Sequence, residues 1–496
     1  MQERYIAAAD LGSGKIAVCV AKVCGDDTQV IYYGESPSDG ISHSCVFNPK
    51  KASEALKKAL AEAEEELHIK ILQVVVGLPR WGVSQQTSSA GADRTNPEEC
   101  ISDEEISILK DDAIDSYPLE DPKREEIYGA VAQSFTADEL FQQSRQDIIG
   151  ATASHIEGNF KIFTGARKAS NNIDMMLNMI GVAPAEKVFV PHAVAKAVLS
   201  EDERENGVAL VELGAGVTSV TIYQDKILRH YSAVPFGGAS ITTDIKYECG
   251  FRQSLAENIK LAYGACMPEK LQSMEDKILQ INDEENGTYE HLPVKYLSEI
   301  ITCRVREILD AILFQIQESG FADKLRGGIV LTGGGAGLVN LATLLKDMSG
   351  YNVRLGFPQK RLFSADGCPE VLSTGAVACV GMVLDAGRNA GLNCTTEPVV
   401  EEPEEDPETS EGETAPAPEQ TYVGTVFEAD SDDEIIRPVK RPKRPKNPRK
   451  PPFGITWGEK IKTSGIFGSV DKFLDDTIGG LFDAMEEGGQ VQNSDN

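Results

Sequence analysis

Asp10-Leu11-Gly12-Ser13-Gly14-Lys15 gathers a carboxylate, two glycines, a hydroxyl and an ammonium into one short stretch. That set suits a phosphate group with a divalent cation. The carboxylate can hold a metal's water, while loop N–H groups, Ser13 and Lys15 face phosphate oxygens. Taken alone, the loop reads equally as an ordinary hairpin turn with a solvated Asp and Lys. A second stretch, Glu212-Leu213-Gly214-Ala215-Gly216-Val217-Thr218, repeats the layout, with an acid two residues before Gly-x-Gly. We take the pair as an internal repeat; two such loops facing each other would clamp a phosphate chain from both sides. A third glycine cluster, Gly333-Gly334-Gly335-Ala336-Gly337, follows the β-branched run Ile329-Val330-Leu331-Thr332. Adjacent glycines let a ligand approach the backbone, because no Cβ stands in the way. A helix expected at about residues 337–345 would aim its unpaired N–H groups at the same ligand.

Strands must position these loops. Residues 6–9 and 16–23 flank the first as a β-hairpin, and residues 208–223 read as strand, glycine loop, strand. Apolar residues at helical spacing predict helices over 51–67, 170–180, 194–199, 254–263, 296–318 and 374–384. Gly237-Gly238 leads into a further helix at Ser240. Strands are expected at 69–78 and 187–191. Between them residues 84–162 differ in character. Residues 101–115 form a charged helix, capped by Ser102 with Glu105 three residues on, and residues 127–135 and 160–164 read as strands. We expect a small α+β insertion there.

A chain of 496 residues should hold two or more domains. The formal net charge of −30 argues against nucleic acid as a main partner, since phosphate backbones demand a basic face. The ten cysteines are scattered without a CxxC, which suits reduced thiols in a cytosolic setting. Met1-Gln2-Glu3-Arg4 leads straight into a strand-like run, so no signal peptide is expected. No apolar run is long enough to span a membrane.

Beyond residue 396 the composition changes. Residues 397–434 carry fifteen acids and no Lys or Arg, too little apolar surface to fold. Residues 437–450 invert the sign with eight Lys and Arg, and four prolines keep them extended. We therefore expect a disordered linker over 397–452. Within 453–496, Ile466, Phe467, Val470, Phe473, Leu474, Ile478, Leu481 and Phe482 return at helical spacing. A helix stranded beyond a linker docks on a membrane surface or a partner, or folds back on the body. Its polar face is acidic, unlike most surface-binding helices. The adjoining basic run can offset that at ~1 kcal/mol per basic residue near an anionic leaflet.

The order of the three glycine motifs resembles the actin/Hsp70/sugar-kinase ATPase fold. Within that superfamily, residues 4–390 resemble the bacterial cell-division family FtsA. The resemblance rests further on Val234-Pro235-Phe236-Gly237-Gly238, on Ile241-Thr242-Thr243-Asp244-Ile245, and on Glu257-Asn258-Ile259-Lys260 before Tyr263-Gly264. It implies a two-lobed α/β fold: a first lobe over 1–83 and 163–200, an inserted subdomain over 84–162, a second lobe over 201–396, then linker and membrane-targeting helix. It also implies ATP with Mg2+. Gly12, Ser13, Gly14 and Lys15 would meet the phosphates, and Gly214, Gly216 and Thr218 would meet them from the other side. Asp10 and Glu212 would lie near the metal. Gly237 and Gly238 would lie against the nucleotide, Glu257 and Lys260 would reach ribose and adenine, and Gly333, Gly334, Gly335 and Gly337 would line the adenosine. The implied partners are the tubulin-like division protein FtsZ, other copies of the chain in actin-like filaments, further divisome proteins, and the cytoplasmic face of the inner membrane at the septum.

The second loop departs from the family's DIGGGTTD pattern. Asp has become Glu212, a Gly has become Ala215, a Thr has become Val217, and the later Asp has become Ser219. The methyl of Ala215 and the lost hydroxyl at Val217 spare binding and weigh against efficient hydrolysis, so an ATP-binding protein is expected rather than an enzyme. A pilus-assembly homologue of the PilM type and a sugar-kinase-like phosphotransferase are the alternatives. The kinase reading lacks a candidate base facing a substrate hydroxyl.

Overall fold

The computed structural model describes residues 3–396, apart from 26, 272–273, 275 and 284–287. The linker and terminal helix expected over 397–496 lie outside the described residues.

The chain opens with an antiparallel meander, β1 (Arg4–Leu11), β2 (Lys15–Cys24) and β3 (Asp27–Pro37). Two short strands follow, β4 (Ile41–Ser42) and β5 (Cys45–Val46), and then α1 (Pro49–Leu67). The Asn48 side chain accepts a hydrogen bond from Lys51 N at 3.2 Å, an N-cap worth ~1 kcal/mol. Strand β6 (Gln73–Gly77) joins β1 in parallel. Then come β7 (Ser84–Asp93), α2 (Asp103–Asp115), β8 (Glu125–Ala137), β9 (Leu140–Gln143), the single-turn α3 (Arg145–Ile148) and β10 (His155–Ala166). They build a separate four-stranded sheet in the order β7-β10-β8-β9, covered on one face by α2. Ser102 and Glu105 form the expected capping box. After α4 (Arg167–Ile180), β11 (Ala183–Val188) joins β6 in parallel, and α5 (Val190–Val198) follows.

Past α6 (Glu201–Asn206) the plan repeats. Strands β12 (Val208–Leu213), β13 (Thr218–Gln224) and β14 (Ile227–Val234) form a second antiparallel meander. Helices α7 (Gly238–Cys249) and α8 (Gln253–Tyr263), the hairpin β15 (Ile278–Asp283) and β16 (Thr288–Pro293), and α9 (Val294–Glu318) come next. Then β17 (Ile329–Thr332) pairs with β12 in parallel, and α10 (Leu341–Ser349) leads to β18 (Val353–Leu355), parallel to β17. Helix α11 (Val377–Ala386) follows. The strand order β14-β13-β12-β17-β18 matches β3-β2-β1-β6-β11 strand for strand. The repeat read from two glycine loops is thus a repeat of whole sheet topology.

Side-chain alternation assigns the faces. Ala7, Ala9, Val18 and Val20 pack against α1 and α4, while Ile6, Ala8, Cys19 and Ala21 face α5 and α11. In the second sheet Ala209, Val211, Val220 and Ile222 join the core with α7, α9 and α10, whereas Val208 and Leu210 turn to the α5–α11 side. Helices α5 and α11 are thus shared between the two sheets. They meet closely at Gly381, where a Cβ would fall 2.5 Å from the Ala193 carbonyl oxygen.

Two local expectations are corrected. The helix expected from residue 337 begins at Leu341 instead, because Gly334–Gly337 closes a 3-10 turn and Asn340 takes a left-handed conformation (φ 63°). The strand expected at 187–191 ends at Val188. Val190 and Pro191 already open α5, with proline in the first turn where its missing N–H costs nothing.

Candidate functional site

The same alternation aims the two loop acids. Asp10 continues the series Ile6, Ala8 on the α5–α11 side of β1, and Glu212 continues Val208, Leu210 on that side of β12. The hairpins share a register: Asp10 stands opposite Ala17 with Leu11 opposite Ile16, and Glu212 opposite Ser219 with Leu213 opposite Thr218. Their loops touch. A Cβ on Gly14 would lie 2.9 Å from Ala215 Cβ, and one on Gly216 would lie 2.8 Å from Ser13 Oγ.

A cavity of about 1040 Å³ opens beside the loops, at the upper end of the roughly 300–1,000 Å³ of small-molecule sites. Its lining includes Asp10, Gly12, Ser13, Gly14, Lys15, Glu212, Gly214, Gly216, Gly238, Glu257, Lys260, Gly333, Gly334, Gly335 and Gly337. Three stretches distant in sequence therefore meet at one space. Two expected residues do not line it. Thr218 is fully buried and its hydroxyl donates to the Phe236 carbonyl at 2.7 Å. Gly237 packs under the second loop, where a Cβ would stand 2.3 Å from the Gly214 carbonyl oxygen.

The first turn of α7 is not a free anion seat. Gly238 N donates to Gly214 O at 2.9 Å and Ala239 N to Ala215 O at 2.8 Å, so these donors hold the second loop. Lys260 is likewise spent. Its ammonium donates to Gly238 O at 3.0 Å, Thr242 Oγ1 at 2.8 Å and Glu257 Oε2 at 2.8 Å, with only 9% of its side chain exposed. It braces the turn, and Glu257, less buried, is the member of the pair that reaches open space. The third cluster divides by role. Gly333 (φ +90°) and Gly335 pack on Leu213, and a Cβ on Gly335 would fall 1.8 Å from Leu213 Cδ2. Gly334 and Gly337 face open space, with nothing within 4 Å of an added Cβ.

The lining also holds an apolar group, Leu261, Tyr263, Ala265, Leu271, Met274, Leu338 and Val339. Two hydrogen bonds tie these segments together: Cys266 N donates to Val339 O at 2.8 Å, and the Asn340 side-chain amide donates to Cys266 O at 3.2 Å. Charge across the cavity balances, with Asp10, Glu35, Glu212 and Glu257 set against Lys15, Arg80, Lys260 and Lys270. The site is thus more hospitable to an anion than the chain's net −30 suggests.

Between the two loop acids lies Arg80, just past β6. Its Nη2 is 3.0 Å from Asp10 Oδ1 and 3.3 Å from Glu212 Oε1. Burial alone would lower the guanidinium's pKa, but the two carboxylates outweigh burial and hold it protonated. Burial pushes the Glu212 carboxyl up; Arg80 opposes that shift and Asp10 adds to it. Glu212 Oε2 and Arg80 Nε are buried without a hydrogen-bond partner among the described residues.

The model of the family described as "Cell division protein FtsA" matches residues 209–379. The "Cell division protein FtsA" of Neisseria meningitidis is 29% identical over 363 residues, covering 72% of this chain and 85% of that one. The chain is similar to proteins of the FtsA family. The FtsA of Borreliella burgdorferi is also 29% identical, over 72% of this chain and 86% of its own, and that of Pseudomonas aeruginosa is 26% identical over 74% and 86%. Among solved structures, the "PilM-PilN type IV pilus biogenesis complex" superposes with a TM-score of 0.53 at 16% identity, covering 77% of this chain and 98% of that one. That likeness is one of fold, carried here by two α/β halves of matching sheet topology.

Four residues at this cavity escape sequence reading. Glu35, on β3, pairs with Lys15 and accepts from Tyr33 Oη at 2.6 Å. Ser44 N donates to Ser13 Oγ at 2.9 Å. Gly375 lies against Lys15 and Gly334; a Cβ there would be 3.0 Å from Lys15 Nζ. Arg80 is the fourth. The available signal was its place, a charged residue shortly after a strand buried along its whole length, at the carboxyl edge of parallel strands where clefts form.

Proposed function

We propose that the cavity binds ATP and that the chain acts in bacterial cell division, as its FtsA relatives are described. The observation that carries this reading is the convergence of three glycine stretches on one cavity whose lining also holds Lys15 and the apolar Leu261, Leu271, Leu338 and Val339. A polyphosphate suits the loop end. A flat heterocycle suits the end lined by Tyr263, Leu338 and Val339, with Gly334 and Gly337 leaving room for it. ATP would bridge the two halves, since each contributes one hairpin. Closure would then fix the surfaces through which copies associate. Binding rather than rapid turnover is favoured by the second loop, which offers a methyl at Ala215 where the family pattern has glycine and an isopropyl at Val217 where it has a hydroxyl.

On this reading the chain recruits FtsZ and holds it at the inner membrane through residues 453–496, the basic run at 437–450 adding attraction to an anionic leaflet. Among the described residues no helix is long and apolar enough to cross a membrane. One weak terminal helix is marginal, but many on a polymer bind together.

Calorimetric titration of the full chain with ATP tests the nucleotide. Gly334→Asp puts a carboxylate at a position where an added Cβ meets nothing within 4 Å, and should weaken ATP by about a hundredfold or more. Unchanged affinity in the folded variant contradicts the assignment. For the tether, a chain ending at residue 452 should stay in the supernatant when the full chain sediments with anionic vesicles. Equal sedimentation contradicts it.

A further inference from the structure

The family resemblance implies a divalent cation beside Asp10 and Glu212, and the arrangement of these residues does not fit one. The carboxylates face each other across the cleft, as a cation seat requires, but the guanidinium of Arg80 is already between them, 3.0 Å from one and 3.3 Å from the other. Arg80 is no transient visitor. Its side chain is 9% exposed, its Nη1 donates to Ser44 Oγ at 3.3 Å, and its carbonyl accepts from Tyr231 Oη at 2.5 Å. Tyr231 in turn packs edge-on against Phe189, centroids 5.2 Å apart, and Phe189 stacks on Phe163 at 4.6 Å. That aromatic cluster joins β14, the start of α5 and β10, so the inserted sheet and the second meander both hold the arginine in place. Among the described residues, no group of three or more His, Cys, Asp and Glu side chains could hold a metal ion.

We propose that Arg80 is this chain's built-in cation. It supplies the positive charge that two facing carboxylates would otherwise take from a divalent metal. It clasps the two hairpins together, and nucleotide binds without any metal held by Asp10 and Glu212. A guanidinium stays protonated at every pH the fold survives, so the seat never falls vacant by titration. A divalent ion entering the same seat would stand against a like charge whose side chain is only 9% exposed, where Coulomb repulsion is stronger than in bulk water. The unpartnered Nε leaves the guanidinium able to accept one further acceptor, such as a phosphate oxygen, without releasing either acid.

This inference rests on the nucleotide reading, and its test separates the two. ATP is titrated into the full chain with Mg2+ and again with EDTA. The wild type should differ by less than about threefold between buffers, whereas Arg80→Ala should bind at least about tenfold tighter with Mg2+. Arg80→Lys, which keeps the charge, should show the same small difference between the two buffers, whatever its absolute affinity. A wild type that loses tenfold or more in EDTA overturns the inference. A second measurement needs no nucleotide: Mn2+ binding followed by electron paramagnetic resonance. Arg80→Ala should gain a bound ion that the Arg80→Ala, Glu212→Gln double variant lacks, over a background from the acidic tail common to all. A wild type that holds Mn2+ and loses it on Glu212→Gln overturns the inference even if ATP binds nowhere. Absence of ATP binding in every buffer overturns the nucleotide reading alone.

Discussion

The two hairpins at the cavity share backbone, register and place in their sheets, yet they present different chemistry. The first offers Ser13 and Lys15 to the cavity, with Lys15 paired to Glu35 at a partly exposed position. The second offers Ala215 and Val217, and its acid, Glu212, is 9% exposed and shares a guanidinium with Asp10. One loop has kept polar groups for a ligand; the other has become a packing surface against its twin. The difference teaches that a repeated scaffold fixes where a loop goes and leaves its chemistry free to diverge.

Within the pair of hairpins, substitutions at the loop contact give the larger expected effect. Gly14→Val forces a branched side chain against Ala215, where even a Cβ would come within 2.9 Å. We expect ATP affinity to fall by about tenfold or more, with Ala215→Gly restoring part of it in the double variant. Additive effects in that cycle would mean that the loops do not share the contact.

A smaller effect follows from the buried acid. Burial raises the folded pKa of Glu212 above its ordinary 4.5. The folded state therefore holds that proton more tightly than the unfolded chain, and Glu212 contributes stability that is full below pH 4.5 and lost as pH rises through the folded value. At neutral pH, Glu212→Gln should melt at or slightly above the wild-type temperature, because Asp10 still partners Arg80 and an amide can serve the orphaned oxygen's position. That advantage should vanish on acidification toward pH 4.5. A Gln variant that melts well below wild type at neutral pH contradicts the sign.

The hairpins were legible in the sequence because glycine loops between β-branched runs leave few alternatives. Helix α1 was legible from its apolar spacing, and α2 from Ser102 and Glu105. Strand β7, Ser84–Asp93, was not: SQQTSSAGAD carries no apolar alternation, and its pairing with β10 comes from the partner strand. The start of α10 was misplaced because glycines at 334, 335 and 337 read as a loop feeding a helix, whereas the chain spends them on a 3-10 turn and reverses at Asn340. Lys260 and Glu257 came from the family resemblance alone, and what the ammonium holds, the Gly238 carbonyl and Thr242, depends on packing between α7 and α8. Arg80 lies 70 positions from Asp10 and farther still from Glu212, so no local pattern announces the triad.

Photolabelling with an azidoadenine ATP analogue, followed by peptide mapping, tests the central claim most directly. The account predicts a label on peptides containing Tyr263 or Leu338–Asn340, competed away by ATP and absent in Gly334→Asp. Labelling confined to peptides that do not line this cavity, or undiminished by ATP, would contradict it.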